Sequence, residues 1–184
     1  LDTLQFSSEV KPVSVIFDPS RILLAEIIED KEPEIWVKEV KKDIGFIYSK
    51  KAMVPVFNSG NLELINEVLD YNLNHPYHGI RLEAMRVLAR LKMADRMKYK
   101  NKLVEMAQKD QKSINRSTAI EMLNEFEDKE LINLYMNACS DSSYQVIASA
   151  LMALNTINPE AAVKKADSLV KENNLSIIDA VINI

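Results

Sequence analysis

The sequence predicts an all-α fold, an α-solenoid in which helix pairs stack into an α-α superhelix, led by a short β-like N-terminal arm. Three observations carry the prediction. The first is a recurring frame, a small residue in mid-helix flanked a turn away by larger ones. It stands at Arg81-Ala84-Leu88, Arg116-Ala119-Leu123 and Ile147-Ala150-Leu154, with a weaker copy at Ser49-Ala52-Val56 and a short one at Ile177-Ala180-Ile184. The five alanines lie 32, 35, 31 and 30 residues apart, a period typical of helical-hairpin repeats. A small side chain at that point lets two crossing helices approach closely. The second observation is composition: 3 Gly against 8 Met favour helix over sheet. The third is the shortness of the polar stops between apolar runs, which makes successive helices antiparallel neighbours.

Residues 1–32 read as a β-like arm, a junction from a preceding domain, and residues 33–184 as the helical repeat domain. From Leu4 to Phe17, β-branched residues alternate in period two around Lys11-Pro12, which predicts two short strands or an extended arm. Pro12 confines that segment to an edge or a turn. Asp18-Pro19-Ser20 makes a turn that Asp18 or Ser20 can cap. Arg21 to Ile28 is apolar nearly throughout and reads as extended, passing into a turn at Glu29-Asp30-Lys31-Glu32.

Helices begin at Pro33, a residue suited to a first helical turn. The pattern predicts helices over Glu34–Lys42, Phe46–Phe57 (loosening at Pro55) and Leu62–Leu73, the last capped by Asn61 after the stop Asn58-Ser59-Gly60. His75-Pro76 then breaks the chain before Ile80–Leu91. Further helices are expected over Asp95–Gln108, Ile114–Phe126, Leu131–Cys139, Tyr144–Ile157, Ala161–Lys171 and Leu175–Ile184, with Asn173-Asn174 as the last stop.

The chain has 184 residues, long enough to bury a sizeable core. It is 47% hydrophobic and 27% charged, which excludes wholesale disorder. A net charge of -4 provides no basic field for nucleic acid or anionic lipid. The single Cys excludes an internal disulfide framework. No apolar run reaches the roughly 20 residues of a membrane span, and no signal peptide is visible. The first residue is Leu, so the chain is expected to be part of something longer.

No catalytic, cofactor-binding or metal-ligating residue is assigned. There is no HExxH, glycine-rich phosphate loop, GxSxG or CxxC. His75 and His78 form a pair in NHPYHG, but Pro76 separates them and no third His exists, so they read as loop and cap. Cys139 reads as a small buried hydrophobe. Arg81 and Arg116 recur at one repeat position, either as a row of cations or, preferably, paired with the acidic turns at Asp110 and Asp141. Lys98-Tyr99-Lys100 with Lys102 reads as a solvated helix face, and Trp36 as a wedge between the arm and the first hairpin.

The order of a short strand, Lys11-Pro12, an alternating strand, Phe17-Asp18-Pro19 and Leu23-Leu24-Ala25-Glu26 before helical repeats resembles one particular junction. It is similar to the region after the catalytic domain of bacterial M1-family zinc aminopeptidases, the aminopeptidase N relatives. There a small β-sandwich leads into a HEAT-like helical C-terminal domain. The turns Lys109-Asp110 and Ser140 to Val146 also look like that family's repeats. The resemblance implies a non-catalytic domain that packs on the parent catalytic domain and restricts access to its active site. Zinc and the peptide substrate would then belong to the parent polypeptide, whose HExxH residues are absent here.

A second function is a free-standing HEAT-like scaffold binding a partner protein, which predicts an exposed aromatic patch drawn from Tyr71, Tyr77, Tyr99 and Tyr135. The apolar end around Ile177, Ile178 and Val181 is expected to promote self-association.

Overall fold

The computed structural model describes residue 5 and residues 7–20, 22–24, 26–169 and 174–184. Leu4 and Phe6 of the expected arm, Arg21 and Ala25 of the segment after it, and Lys171 and Asn173 near the last stop lie outside the described residues. Described secondary structure is helical throughout, so the fold is all-α. The chain divides into two compact units, Leu1–Asn72 and Leu73–Ile184.

The first unit contains α1 (Pro33–Val40), α2 (Phe46–Asn58) and α3 (Leu62–Asn72). Pro33 occupies the start of α1, where its missing N–H costs nothing. Gly45, at φ +124°, and Gly60, at φ +68°, make the reversals before α2 and α3 in a region that favours glycine. Asn61 caps α3 as expected, its side-chain oxygen accepting from Glu63 N–H at 3.1 Å and Leu64 N–H at 3.4 Å. Helix α2 runs on through Pro55 to Asn58 rather than loosening there. The core of this unit joins Trp36, Val40, Ala52, Met53, Val56 and Leu69.

The predicted strands do not form: residues 5–32 contain no strand among the described residues. A period-two pattern becomes a strand only when a neighbouring ladder pairs its N–H and C=O groups, and this unit provides none. What forms instead is an irregular segment with a local turn. Asp18 takes a positive φ of 42°, and its carboxylate accepts from Ile22 N–H at 3.1 Å and Leu23 N–H at 2.9 Å.

The second unit contains α4 (His78–Leu88), α5 (Met93–Arg96), a 3₁₀ turn (Met97–Tyr99), α6 (Lys100–Lys109) and α7 (Ser113–Asn124). A second 3₁₀ turn (Lys129–Leu131) leads into α8 (Ile132–Ala138), followed by α9 (Tyr144–Ile157), α10 (Pro159–Leu169) and α11 (Leu175–Ile182). The helix expected over Asp95–Gln108 is broken because Tyr99 sits at φ -95°, ψ 2°, outside the helical well. The centre of the unit is α9, which packs on α7, α8, α10 and α11, while α7 also packs on α4 and α6. That central position explains why α9 buries six of its residues.

The alanine frame lies in the core. Ala52, Ala84, Ala119 and Ala150 are completely buried and Ala180 nearly so. Their large partners Val56, Leu88, Leu123 and Leu154 are buried too. Each alanine thus marks a helix face pressed against its neighbours, the close approach for which a small residue is needed. Among the described residues no helix is long and apolar enough to cross a membrane.

Candidate functional site

The most regular side-chain arrangement is a pair of ion-pair rungs between successive helix pairs of the second unit. Arg81 on α4 meets Asp110, in the turn before α7, through two parallel bonds of 2.7 and 2.8 Å. Arg116 on α7 meets Asp141, in the turn before α9, through bonds of 2.9 and 2.7 Å. This is the bidentate fork in which arginine and carboxylate are most strongly coupled. Each aspartate also closes its own turn, accepting from the N–H two residues on: Lys112 for Asp110 and Ser143 for Asp141, both at 2.9 Å. Each arginine in addition donates to a carbonyl of the turn leading into its own helix, Arg81 to His75 at 2.7 Å and Arg116 to Asp110 at 2.9 Å.

Burial by itself would raise both carboxyl pKa values, but the hydrogen bonds outweigh it. The Arg81, Lys112 and Asn115 donors hold Asp110 below the usual carboxylate range. The Arg116 and Ser143 donors do the same for Asp141. The reading of the two arginines as partners of acidic turns is therefore the one the geometry bears out. Further links repeat the theme: Arg96 to Glu125 at 2.6 Å, and Lys100 to Asp128.

The other residues singled out in the sequence are also absorbed by packing. The buried His75 accepts at Nδ1 from Tyr77 N–H at 3.0 Å. It occupies, six residues before Arg81, the turn position that Asp110 holds before Arg116 and Asp141 before Ile147. The His78 ring lies 4.9 Å from that of Tyr77, and its carbonyl accepts from Asn115. Among the described residues no group of three or more His, Cys, Asp or Glu converges as a metal site would require. Cys139 is buried and desolvation pushes its thiol up to about 11, the opposite of an activated nucleophile.

In the basic run, Lys100 pairs with Asp128, Lys102 bonds Glu105 at 3.0 Å, and Lys98 lies 5.2 Å from the Tyr99 ring centre. Tyr99 and Tyr135 are core residues and Tyr77 is exposed. The aromatic patch expected of a scaffold therefore loses two of its four members. Two concavities of the second unit are a pocket of ≈ 580 Å³ beside His75 and Arg81 and a groove of ≈ 430 Å³ among α7, α9 and α11. In the groove Ser149 donates to Glu121 at 2.8 Å; in the pocket the Arg81 fork is committed to Asp110.

A feature that sequence reading missed lies in the first unit. Glu39 on α1 is completely buried, and Lys31, read as a turn residue, reaches its carboxylate at 2.9 and 3.1 Å. Tyr48 on α2 donates to the same carboxylate at 2.5 Å, and the Ser14 hydroxyl donates to its other oxygen. The Lys31 ammonium also bonds Glu29 at 2.8 Å and stands 4.7 Å from the Trp36 ring centre, a cation–π distance. Lys51 adds a bond of 2.8 Å to the Ile27 carbonyl. Polar contacts therefore fasten the segment from residue 14 to residue 31 onto the first helix pair, with Trp36 beneath them as expected.

The stretch from residue 10 to residue 28 leaves most of its described apolar side chains in solvent. Val10, Val13, Val15, Ile22, Leu24 and Ile28 are all exposed, Leu24 fully so.

No protein-family model matches the chain, and no curated protein matches it.

Proposed function

We propose that this chain is the non-catalytic helical domain of an M1-type zinc aminopeptidase, packing on the catalytic domain and restricting access to its active site. In this reading the repeats form a HEAT-like α-α superhelix, and the segment before them is the junction with the domain upstream. Catalysis and zinc reside in the parent polypeptide, and these residues supply a rigid wall.

The observation that carries the reading is the two-sidedness of residues 10–31. Ser14, Lys31 and the Ile27 carbonyl tie that segment to α1 and α2, while a run of valine, isoleucine and leucine faces outward. A segment fixed on one side and apolar on the other is suited to seating a second folded body. It contains Lys11-Pro12, Phe17-Asp18-Pro19 and Leu23-Leu24, the residues that resemble the family's junction. A free-standing scaffold has no such need, and its tyrosine patch is half buried.

Thiol labelling tests the docking. Leu24→Cys is introduced into this chain and into the full polypeptide that the gene encodes, with buried Cys139 as a slow background. Labelling at least about tenfold slower in the full polypeptide is expected if residue 24 is covered there, from the loss of thiol access on burial. Equal rates in the two proteins would overturn the proposal.

A further inference from the structure

Glu39 is completely buried, and a carboxylate taken out of water needs a cation beside it. The walls around it are fixed by the helices. Trp36 and Glu39 stand three residues apart on α1 and share one face, and α1 packs on α2, which carries Tyr48. The Trp36 and Tyr48 ring centres are 6.1 Å apart, with their planes tilted by 34°. The Tyr48 hydroxyl donates to one carboxylate oxygen at 2.5 Å and the Ser14 hydroxyl to the other. Neutral donors thus orient the anion independently of the cation.

The cation itself comes from outside the helices. The Lys31 ammonium lies 2.9 and 3.1 Å from the two Glu39 oxygens and 3.2 Å from the Tyr48 oxygen. It stands 4.7 Å from the Trp36 ring centre and 5.9 Å from that of Tyr48. Aromatic walls around an ammonium are a means by which proteins bind such groups as ligands. With Glu29 at 2.8 Å, three acceptor residues meet the three N–H donors of a primary ammonium. The segment that carries Lys31 contributes nothing to the core, since none of the described residues from 5 to 32 is buried. The Lys31 side chain stays 12% exposed, so the cage reaches solvent along it.

We propose that Glu39, Trp36 and Tyr48 form a binding site for a primary alkylammonium group, a lysine side chain presented in trans. Lys31 is its internal ligand, an autoinhibitory contact that withdraws when the outside ligand binds. The buried carboxylate requires a cation whichever chain supplies it, and the cage is built on helices while its present occupant is not. The site does not depend on the function proposed above.

Chemical rescue tests it. Lys31→Ala removes three methylene groups and the ammonium, a volume that n-propylammonium matches. Fluorescence of Trp36, the only tryptophan, is expected to titrate saturably with n-propylammonium chloride, half-saturating at about 1–10 mM, as a four-atom ligand permits. The urea midpoint of the variant rises with the same ligand, because binding favours the folded state. Sodium chloride or 1-propanol at equal concentration gives neither effect. The unsubstituted protein responds at least about tenfold more weakly, because Lys31 competes at the high effective concentration of a tethered group. Lys31→Ala combined with Glu39→Gln removes both charges, folds, and binds no n-propylammonium. Should Lys31→Ala alone unfold the first unit, the titration is read as recovered helix by far-UV circular dichroism. No saturable response of either kind, an equal response to 1-propanol or sodium chloride, equal affinity in the unsubstituted protein, or binding that survives Glu39→Gln would each overturn the proposal.

Discussion

Replacing Asp110 by alanine probes the arginine–aspartate rungs of the second unit most sharply. The substitution removes four hydrogen bonds at once: two from Arg81 at 2.7 and 2.8 Å, one from Lys112 N–H at 2.9 Å and one from Asn115 at 3.1 Å. It also strands the Arg81 guanidinium, whose side chain is only 14% exposed beside an aspartate exposed by 3%. Charge-assisted bonds contribute about 1.5–3 kcal/mol each, but they share partners here and do not add. Breaking a buried pair costs about 3–5 kcal/mol. Arg81 keeps its bonds to the His75 and Pro76 carbonyls and some water, so the lower end applies, about 3 kcal/mol.

In a chain of this size that lowers the midpoint of thermal unfolding by about 6–12 °C. Asp110→Asn keeps an acceptor for Lys112 but loses the charge, at a cost of about 2 kcal/mol. Urea titrations followed by far-UV circular dichroism measure both, and a cycle with Arg81→Met isolates the pair, with a coupling of at least about 1.5 kcal/mol. Because both Asp110 and Asp141 are held below the usual carboxylate range, their contribution is complete above about pH 4. It is lost as the pH falls through the lowered folded-state values, so the coupling fades in that acid window. A cost below about 0.5 kcal/mol for Asp110→Ala, the scatter of ordinary surface substitutions, would refute the assignment of the rung as a structural staple.

Three other perturbations have defined outcomes. Lys31→Met leaves the completely buried Glu39 carboxylate without its cation and costs about 3–5 kcal/mol; the fluorescence of Trp36, the only tryptophan, reports that loss in the first unit. Ala119→Leu forces extra methylene groups into a completely buried helix crossing and destabilises by about 1–3 kcal/mol or more, read from the urea midpoint. Cys139, buried with its thiol pushed up to about 11, is expected to react with a disulfide reagent at pH 8 at least about a hundredfold faster in denaturant than in the native protein.

The helical architecture was legible because its signals are periodic and local. The alanine frame identifies five buried helix faces from spacing alone, and Asn61 signals the start of α3 by its side chain. Arg81 and Arg116 were legible as staples because they repeat at one frame position and acidic turns repeat beside them. The Glu39 cluster was not. Lys31 lies in a charged run that reads as a turn; its partners Glu39 and Tyr48, and the Ser14 that also donates to Glu39, have no shared period. A buried ion pair formed across such distances leaves no trace in hydrophobic patterning. The alternation before Phe17 misled for a related reason, since β-branched residues state a preference that only a partner strand realises. The break at Tyr99 is a backbone departure inside an otherwise helical pattern, and composition there gives no Gly or Pro to announce it.

The proposed function is tested most directly by expressing the full polypeptide that the gene encodes beside these 184 residues and measuring zinc content and aminopeptidase turnover in both. One zinc per full polypeptide with release of N-terminal residues, and neither property in the shorter chain, is the predicted result. A full polypeptide that holds no zinc and cleaves no peptide would contradict it.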